Sequence, residues 1–233
     1  MRTDILIDAL PSYLQGTLST LALLAVSLLC GFALALPLAI ARASSRRWLS
    51  TPVWLYTYVF RGTPLLVQLF VIYFGLAQFE AVRASALWPL LSSAWFCACL
   101  GFTLNTGAYT VEILAGALKA VPAGEIEAAQ SLGMSPAQTL LRIRLPNALR
   151  AALPAYSNES VFMLHATSLA SAVTLYDLTA AARAVYADTY RPFEAFGLVA
   201  VFYLALTLLI VIAFRAAEQR WLAHLRPRTP AAS

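Results

Sequence analysis

Two side chains of opposite charge stand inside otherwise apolar stretches, Arg61 and Glu159. An ionised group in apolar surroundings is costly unless it is paired, so each needs a partner. A guanidinium at such a place can clasp a carboxylate through two parallel bonds, or it can bridge to a buried acid. Glu159, flanked by Asn158 and Ser160, can receive a cation, pair with Arg61, or cap a helix. Asn105 and Thr106 can hydrogen-bond an amino or carboxylate group, and polar residues of this kind also join helices. His165 shares a helical face with Asn158 and reads as a packing hydrogen bond. Glu112 reads as an inter-helix or loop-anchoring partner, and His224 takes no role. No H-E-x-x-H, G-x-S-x-G or Cys/His cluster is present, so neither a catalytic nor a metal set is assigned. Cys30, Cys97 and Cys99 fall in apolar segments and read as small buried hydrophobes, outside any disulfide framework.

The elements that must position these residues follow from composition. The chain has 233 residues, 61% apolar and only 12% charged, with a mean hydropathy of +0.73. Soluble domains carry about twice that charge, so this chain hides its surface in lipid as one membrane domain. Crossing the hydrocarbon core takes about 20 apolar residues. That window predicts five spans, at roughly 14–41, 52–78, 90–118, 153–176 and 195–215. The fourth is diluted by Asn158, Glu159, His165 and Asp177. Asp4 and Asp8 precede the first apolar run, where a cleavable signal would carry basic residues. Gly62-Thr63-Pro64 follows Arg61 and predicts a helix break, because proline removes a backbone bond and glycine loosens the turn. Broken helices near the bilayer midplane are where transporters place substrate sites.

Orientation follows from the basic residues. Arg42, Arg46, Arg47, Lys119, Arg142, Arg144, Arg150, Arg215, Arg220, Arg226 and Arg228 share one side, eleven of the 16. Arg2, Arg83, Arg183 and Arg191 lie on the other, and Arg61 lies within a span. The expectation is an all-α integral membrane protein of about five transmembrane helices, N-terminus outside and C-terminus in the cytoplasm. The net charge of +5 then reports topology rather than a nucleic-acid partner.

Between spans three and four runs a long cytoplasmic connection, 119–152, and loops of that length are usually functional. Pro122 suits a first helical turn, with Glu125 and Glu127 near the positive end of that helix. Gly133 suits a left-handed cap. Ser135-Pro136 reads as an N-cap and first-turn proline of a second helix, which Pro146 is expected to stop. Helix, tight turn and helix make a compact cytoplasmic knob.

Within that knob, Glu127-Ala128-Ala129, then Gly133, then Ile143-Arg144-Leu145-Pro146 resemble, without a gap, the EAA loop of bacterial ABC importer permeases. FRGTPLLVQL at 60–69, LNTGAYTVEILAGALKAVPAGEIEAA at 104–129 and LPAYSNES at 153–160 are similar to permeases for polar amino acids. MLHATSLASAVTL at 163–175 and YRPFEAFG at 190–197 most resemble the M-type permeases of histidine/lysine/arginine/ornithine importers. The resemblance covers about 12–222, read as a single ABC importer transmembrane domain, with a short cytoplasmic tail at 223–233.

The resemblance implies a bacterial inner-membrane, multi-pass permease subunit for polar, basic amino acids, working by alternating access. It implies three protein partners: a cytoplasmic ATPase dimer, a second, homologous permease subunit, and an extracytoplasmic amino acid-binding protein. Glu127, Ala128, Ala129, Gly133, Ile143, Leu145 and Pro146 would couple to the ATPase. Arg61, Asn105, Thr106 and Glu159 would hold substrate. ATP belongs to the partner, since no G-x-x-x-x-G-K-[ST] loop exists here and Lys119 is the only lysine. The alternatives are a permease for another polar amino acid or an opine, or a stand-alone secondary carrier, which would usually show inverted repeats.

Overall fold

The computed structural model describes residues 3–221, with side chains from residue 9 onward. Arg2, His224, Arg226, Arg228 and the tail at 223–233 lie outside those residues, as do the side chains of Asp4 and Asp8. Eleven α-helices follow in order: α1 Thr3–Arg42, α2 Arg47–Gly62, α3 Leu65–Phe70, α4 Glu80–Arg83, α5 Trp88–Leu91, α6 Ala94–Lys119, α7 Ala123–Ser131, α8 Pro136–Thr139, α9 Leu145–Ala166, α10 Leu178–Thr189 and α11 Pro192–Trp221. Wider and tighter turns extend three of them. A π-helical turn and a 3-10 turn carry α3 on to Gln78, a π-helical turn joins α8 to α9, and a 3-10 turn continues α9 to Val173.

Among the described residues, two helices are long and apolar enough to cross a bilayer, 9–42 and 192–221. Two bent pairs raise the number to as many as four. Arg47–Gly62 meets Leu65–Gln78 at 103°, and Pro136–Val173 meets Leu178–Thr189 at 54°. The break anticipated at Gly62-Thr63-Pro64 is therefore present, and it is a sharp turn. Helix α6 misses the apolar threshold because Asn105, Thr106, Tyr109, Thr110 and Glu112 interrupt it. Yet α6 is the most enclosed element, with Phe102, Asn105, Thr106, Ala108, Thr110 and Val111 buried among its neighbours. Its polar groups face protein rather than lipid, which is how such groups are tolerated at depth.

Helix α1 packs along α6 through small residues. A side chain at Gly31 would come within 2.6 Å of Thr106 Cγ2 and 3.3 Å of the Gly107 nitrogen. Close backbone approach of this kind is the usual basis of helix association in lipid, where apolar burial gains little. Three apolar clusters run along the bundle. Tyr13, Leu178, Ala181 and Ala195 fill the end nearest the start of α1. Leu23, Leu69, Phe102, Met163 and Leu164 fill the middle. Ala35, Ala39, Val111, Leu114 and Ala148 fill the end that carries the knob.

Two expectations are corrected. Pro146 does not stop a helix: it occupies the first turn of α9, where its missing N–H costs nothing, and the chain runs on helically to Ala166. The knob thus passes without interruption into a long helix, with Glu159 well inside α9. Cys30 is exposed on the outside of α1 rather than buried, whereas Cys97 is buried and donates its thiol to the Leu91 carbonyl at 3.1 Å. Asp177 caps α10, accepting from the Ala180 amide at 2.8 Å.

Candidate functional site: a broken helix, a buried carboxylate and a projecting knob

At the break after α2, the last turn loses its normal backbone partners, and two amides replace them. Gln68 Nε2 donates to the Phe60 carbonyl at 2.8 Å, the Thr63 carbonyl at 3.1 Å and Thr63 Oγ1 at 2.8 Å. Asn105 Nδ2, from α6, donates to the same Phe60 carbonyl at 3.2 Å and to Gln68 Oε1 at 3.1 Å. Both amides are buried, so each bond removes a group that would otherwise be orphaned. Asn105 spends both N–H groups on this brace. Its own oxygen accepts nothing from the described residues. Gln68 was singled out for no role in the sequence, although it lies within FRGTPLLVQL at 60–69.

The brace throws Arg61 outward. Its side chain is exposed, and its guanidinium carbon sits 5.1 Å from the centre of the Tyr109 ring, a cation–π contact. Arg61 also lines an open cavity of about 520 Å³ together with Arg42, Trp54, Thr57, Tyr58 and Glu112. Glu159 is 7% exposed, and its Oε1 accepts from Thr106 Oγ1 at 2.8 Å. Its Oε2 accepts no hydrogen bond from the described residues. Thr106 and Tyr109 are three apart on α6, so Arg61 and Glu159 approach that helix one turn from each other. No ion pair joins Arg61 to Glu159 among the described residues. A structural bridge between those two charges is therefore not what holds either in place.

Glu112 and His165 take the packing roles read from the sequence. Arg42 Nε donates to Glu112 Oε1 at 2.8 Å, and Thr57 Oγ1 donates to the same oxygen at 2.7 Å, tying α1, α6 and α2 together. His165 Nε2 lies 3.1 Å from Thr207 Oγ1 of α11.

The knob is built as its residues dictate. Gly133 has φ +79, the left-handed conformation expected of a glycine cap, with open space where a side chain would go. Ser135 and Gln138 form a reciprocal capping box, in which Ser135 Oγ accepts from the Gln138 amide and Gln138 Oε1 accepts from the Ser135 amide at 2.9 Å. Two further bonds, which the sequence did not signal, fasten the knob to the bundle. Arg144 Nη2 donates to the Leu118 carbonyl at 3.3 Å, and Asn147 Nδ2 donates to Glu125 Oε2 at 2.7 Å. Glu127 and Ala128 are exposed while Ala129 is buried, and Ile143, Leu145 and Pro146 are half-buried at the root. Leu132 at the tip is 84% exposed, and Leu141 is also exposed. Large apolar side chains held out on a fixed knob fit a surface that a partner covers.

Comparison with known proteins gives a consistent set of likenesses. Residues 28–223 match the family described as binding-protein-dependent transport system inner membrane component. The chain is 50% identical over 213 residues to the histidine/lysine/arginine/ornithine transport system permease protein HisM of Escherichia coli, covering 91% of this chain and 90% of that one. It is 44% identical over 218 residues to the octopine transport system permease protein OccM of Rhizobium meliloti, covering 93% and 89%. Among solved structures, an amino acid ABC transporter with histidines superposes with a TM-score of 0.82 at 32% identity, covering 92% of this chain and 96% of that chain. The MetNI methionine ABC transporter gives 0.75 at 21% identity, a likeness of fold alone, over 90% and 96%.

Proposed function

This chain belongs to the family of binding-protein-dependent transport system inner membrane components, and we propose that the substrates it passes are basic amino acids. Membership makes it the membrane-embedded component of an ABC importer in the inner membrane, with ATP hydrolysed on another subunit. It also implies an ATPase and an extracytoplasmic binding protein as partners. The finer assembly is our reading: five spans with the N-terminus outside, an ATPase dimer, and a pore shared with a second, different permease chain.

The observation that carries the substrate class is Glu159, a buried carboxylate with Oε1 held by Thr106 and Oε2 free of any donor among the described residues. A carboxylate left half-satisfied in low dielectric favours a cation. In our reading the cationic side chain of the substrate takes Glu159 Oε2, and the Arg61 guanidinium takes its carboxylate. The free oxygen of Asn105 accepts from its amino group. The likeness to a permease named for histidine, lysine, arginine and ornithine supports the same class. Glu159 is nearly closed off in this conformation, so substrate reaches it only when the helices rock.

Coupling follows from the knob. Glu127, Ala128, Ala129 and Gly133 present the α7 face to the ATPase, while Ile143, Leu145 and Pro146 form the root. Because π-helical Leu140–Arg144 passes directly into α9, a pull on the knob moves the helix that bears Glu159. That is a rigid-element switch between two packings.

The test is ATP-driven uptake by the reconstituted importer, comparing arginine, lysine, histidine and ornithine with glutamine. Glu159→Gln should cost on the order of 2–5 kcal/mol of substrate stabilisation for the cationic amino acids, as for a truncated buried pair. Arg61→Gln should weaken all amino acids alike. Uptake that does not need ATP would point to the secondary carrier. Loss of folded yield with selectivity unchanged would remove Glu159 from the binding site.

A further inference from the structure

Helices α9 and α11 run antiparallel in a fixed register. Along α9 toward its start, His165 meets Thr207 at 3.1 Å and Tyr156 stacks edge-on against Phe214 with ring centres 6.1 Å apart. Continued one helical stretch further, that register sets Arg150 beside Arg220. Both arginines do border one space. With Pro146, Leu149 and Trp221 they line an open cavity of about 450 Å³ at the end of the bundle that carries the knob.

Three features make this an anion site. Arg150 and Arg220 form no ion pair among the described residues, and no carboxylate lines the cavity. Glu125 borders the neighbouring cavity, which Arg150 also lines, and it is held there by Asn147 at 2.7 Å. Residues 222–233 contain no Asp or Glu. Two guanidiniums on the wall of one cavity, with no acid on that wall, repel each other, and an anion between them reverses the sign. Arg forks suit phosphate oxygens in particular.

The depth and the walls select the source of that phosphate. Arg220 lies six residues past Phe214, about 9 Å along the helix, which carries it from the apolar core into the headgroup layer. Trp221 is 55% exposed, and tryptophan favours that layer because its ring is apolar and its N–H is polar. Pro146 and Leu149 give the rest of the wall an apolar surface. We propose that Arg150 and Arg220 bind the phosphodiester headgroup of an anionic phospholipid, with Trp221 and Leu149 against its glycerol and first methylenes. The site joins α9, which continues from the knob, to α11. It does not depend on the substrate class.

The test uses the intact importer complex, extracted in mild detergent and offered mixtures of phosphatidylglycerol and phosphatidylcholine, with retained lipid counted by native mass spectrometry. The wild type should retain phosphatidylglycerol selectively. Basic residues near an anionic surface are each worth about 1 kcal/mol, so Arg150→Gln and Arg220→Gln should each cut retention about fivefold. Arg215→Gln, an exposed arginine outside the cavity, should leave retention unchanged. Elution profile and ATP-driven uptake report whether each variant is folded. Should a glutamine variant fail to assemble, Arg150→Lys and Arg220→Lys keep the charge and should retain part of the lipid. Equal retention in wild type and the glutamine variants overturns the site, as does an equal loss in Arg215→Gln. Displacement of the lipid by inorganic phosphate assigns the site to free phosphate instead.

Discussion

Arg42 of α1 and Glu112 of α6 close an ion pair at 2.8 Å, and the carboxylate oxygen they share also takes the Thr57 hydroxyl of α2. Seventy positions separate the two charges, yet they fix three helices at the end of the bundle nearest the knob. Their side chains are 20% and 24% exposed, so water screens the pair only in part. Arg42 further donates to Ser50 Oγ at 3.2 Å, holding the turn between α1 and α2.

Glu112→Ala should therefore destabilise the subunit by about 1.5–3 kcal/mol, the range for hydrogen bonds to charged groups. Arg42→Lys keeps the charge but forfeits the fork to Ser50, and should fall between that variant and the wild type. Thermal unfolding in detergent measures both. If Glu112→Ala keeps its melting temperature and loses only transport, the carboxylate belongs to the substrate path.

Gly133 separates backbone strain from crowding, since φ is +79 and a side chain there would meet nothing within 4 Å. Gly133→Val should strain the turn by about 1–3 kcal/mol, whereas Gly133→Asn, which enters the left-handed region readily, should be nearly silent. Uptake and ATPase co-purification report the difference. Equal behaviour of the two variants would deny the turn its role.

The amide brace at the helix break makes a prediction opposite to that for a ligand contact. Gln68→Leu takes the Gln68 donor from the Thr63 carbonyl and an acceptor from Asn105, while the Phe60 carbonyl keeps Asn105, at about 1–3 kcal/mol for a buried group left unsatisfied. Uptake of all amino acids should fall together with folded yield, and their ranking should not change. A changed ranking between arginine and glutamine would place Gln68 in contact with substrate.

The five-span topology predicts that reporters fused after Arg46 and after Arg228 both read cytoplasm, and that one after Arg83 reads the exterior. The basis is the grouping of eleven of the 16 basic residues on one side. An exterior signal after Arg46 would reverse the orientation, and with it the side on which the knob lies.

What the sequence determined by itself is what depends on a few neighbouring residues. Gly133 takes its positive φ, Ser135-Pro136 opens its helix with a capping box, and Gly62-Thr63-Pro64 breaks α2, because backbone sterics and local capping act within about four positions. The spacing from Glu127 to Pro146 was legible for the same reason, and so was the family. Which faces meet depends instead on packing between distant segments. Asn105 read as a ligand contact spends its N–H groups on the break, because α6 happens to present it to the Phe60 carbonyl. Glu159 finds Thr106 and Arg61 finds Tyr109, one turn apart, and no local rule relates α9 to α2. Pro146 could equally end one helix or begin the next, and in the fold it begins α9. Helix rotation and pairing are set by packing summed over the whole bundle, so residues 50 to 130 positions apart acquire their roles only when the chain is folded.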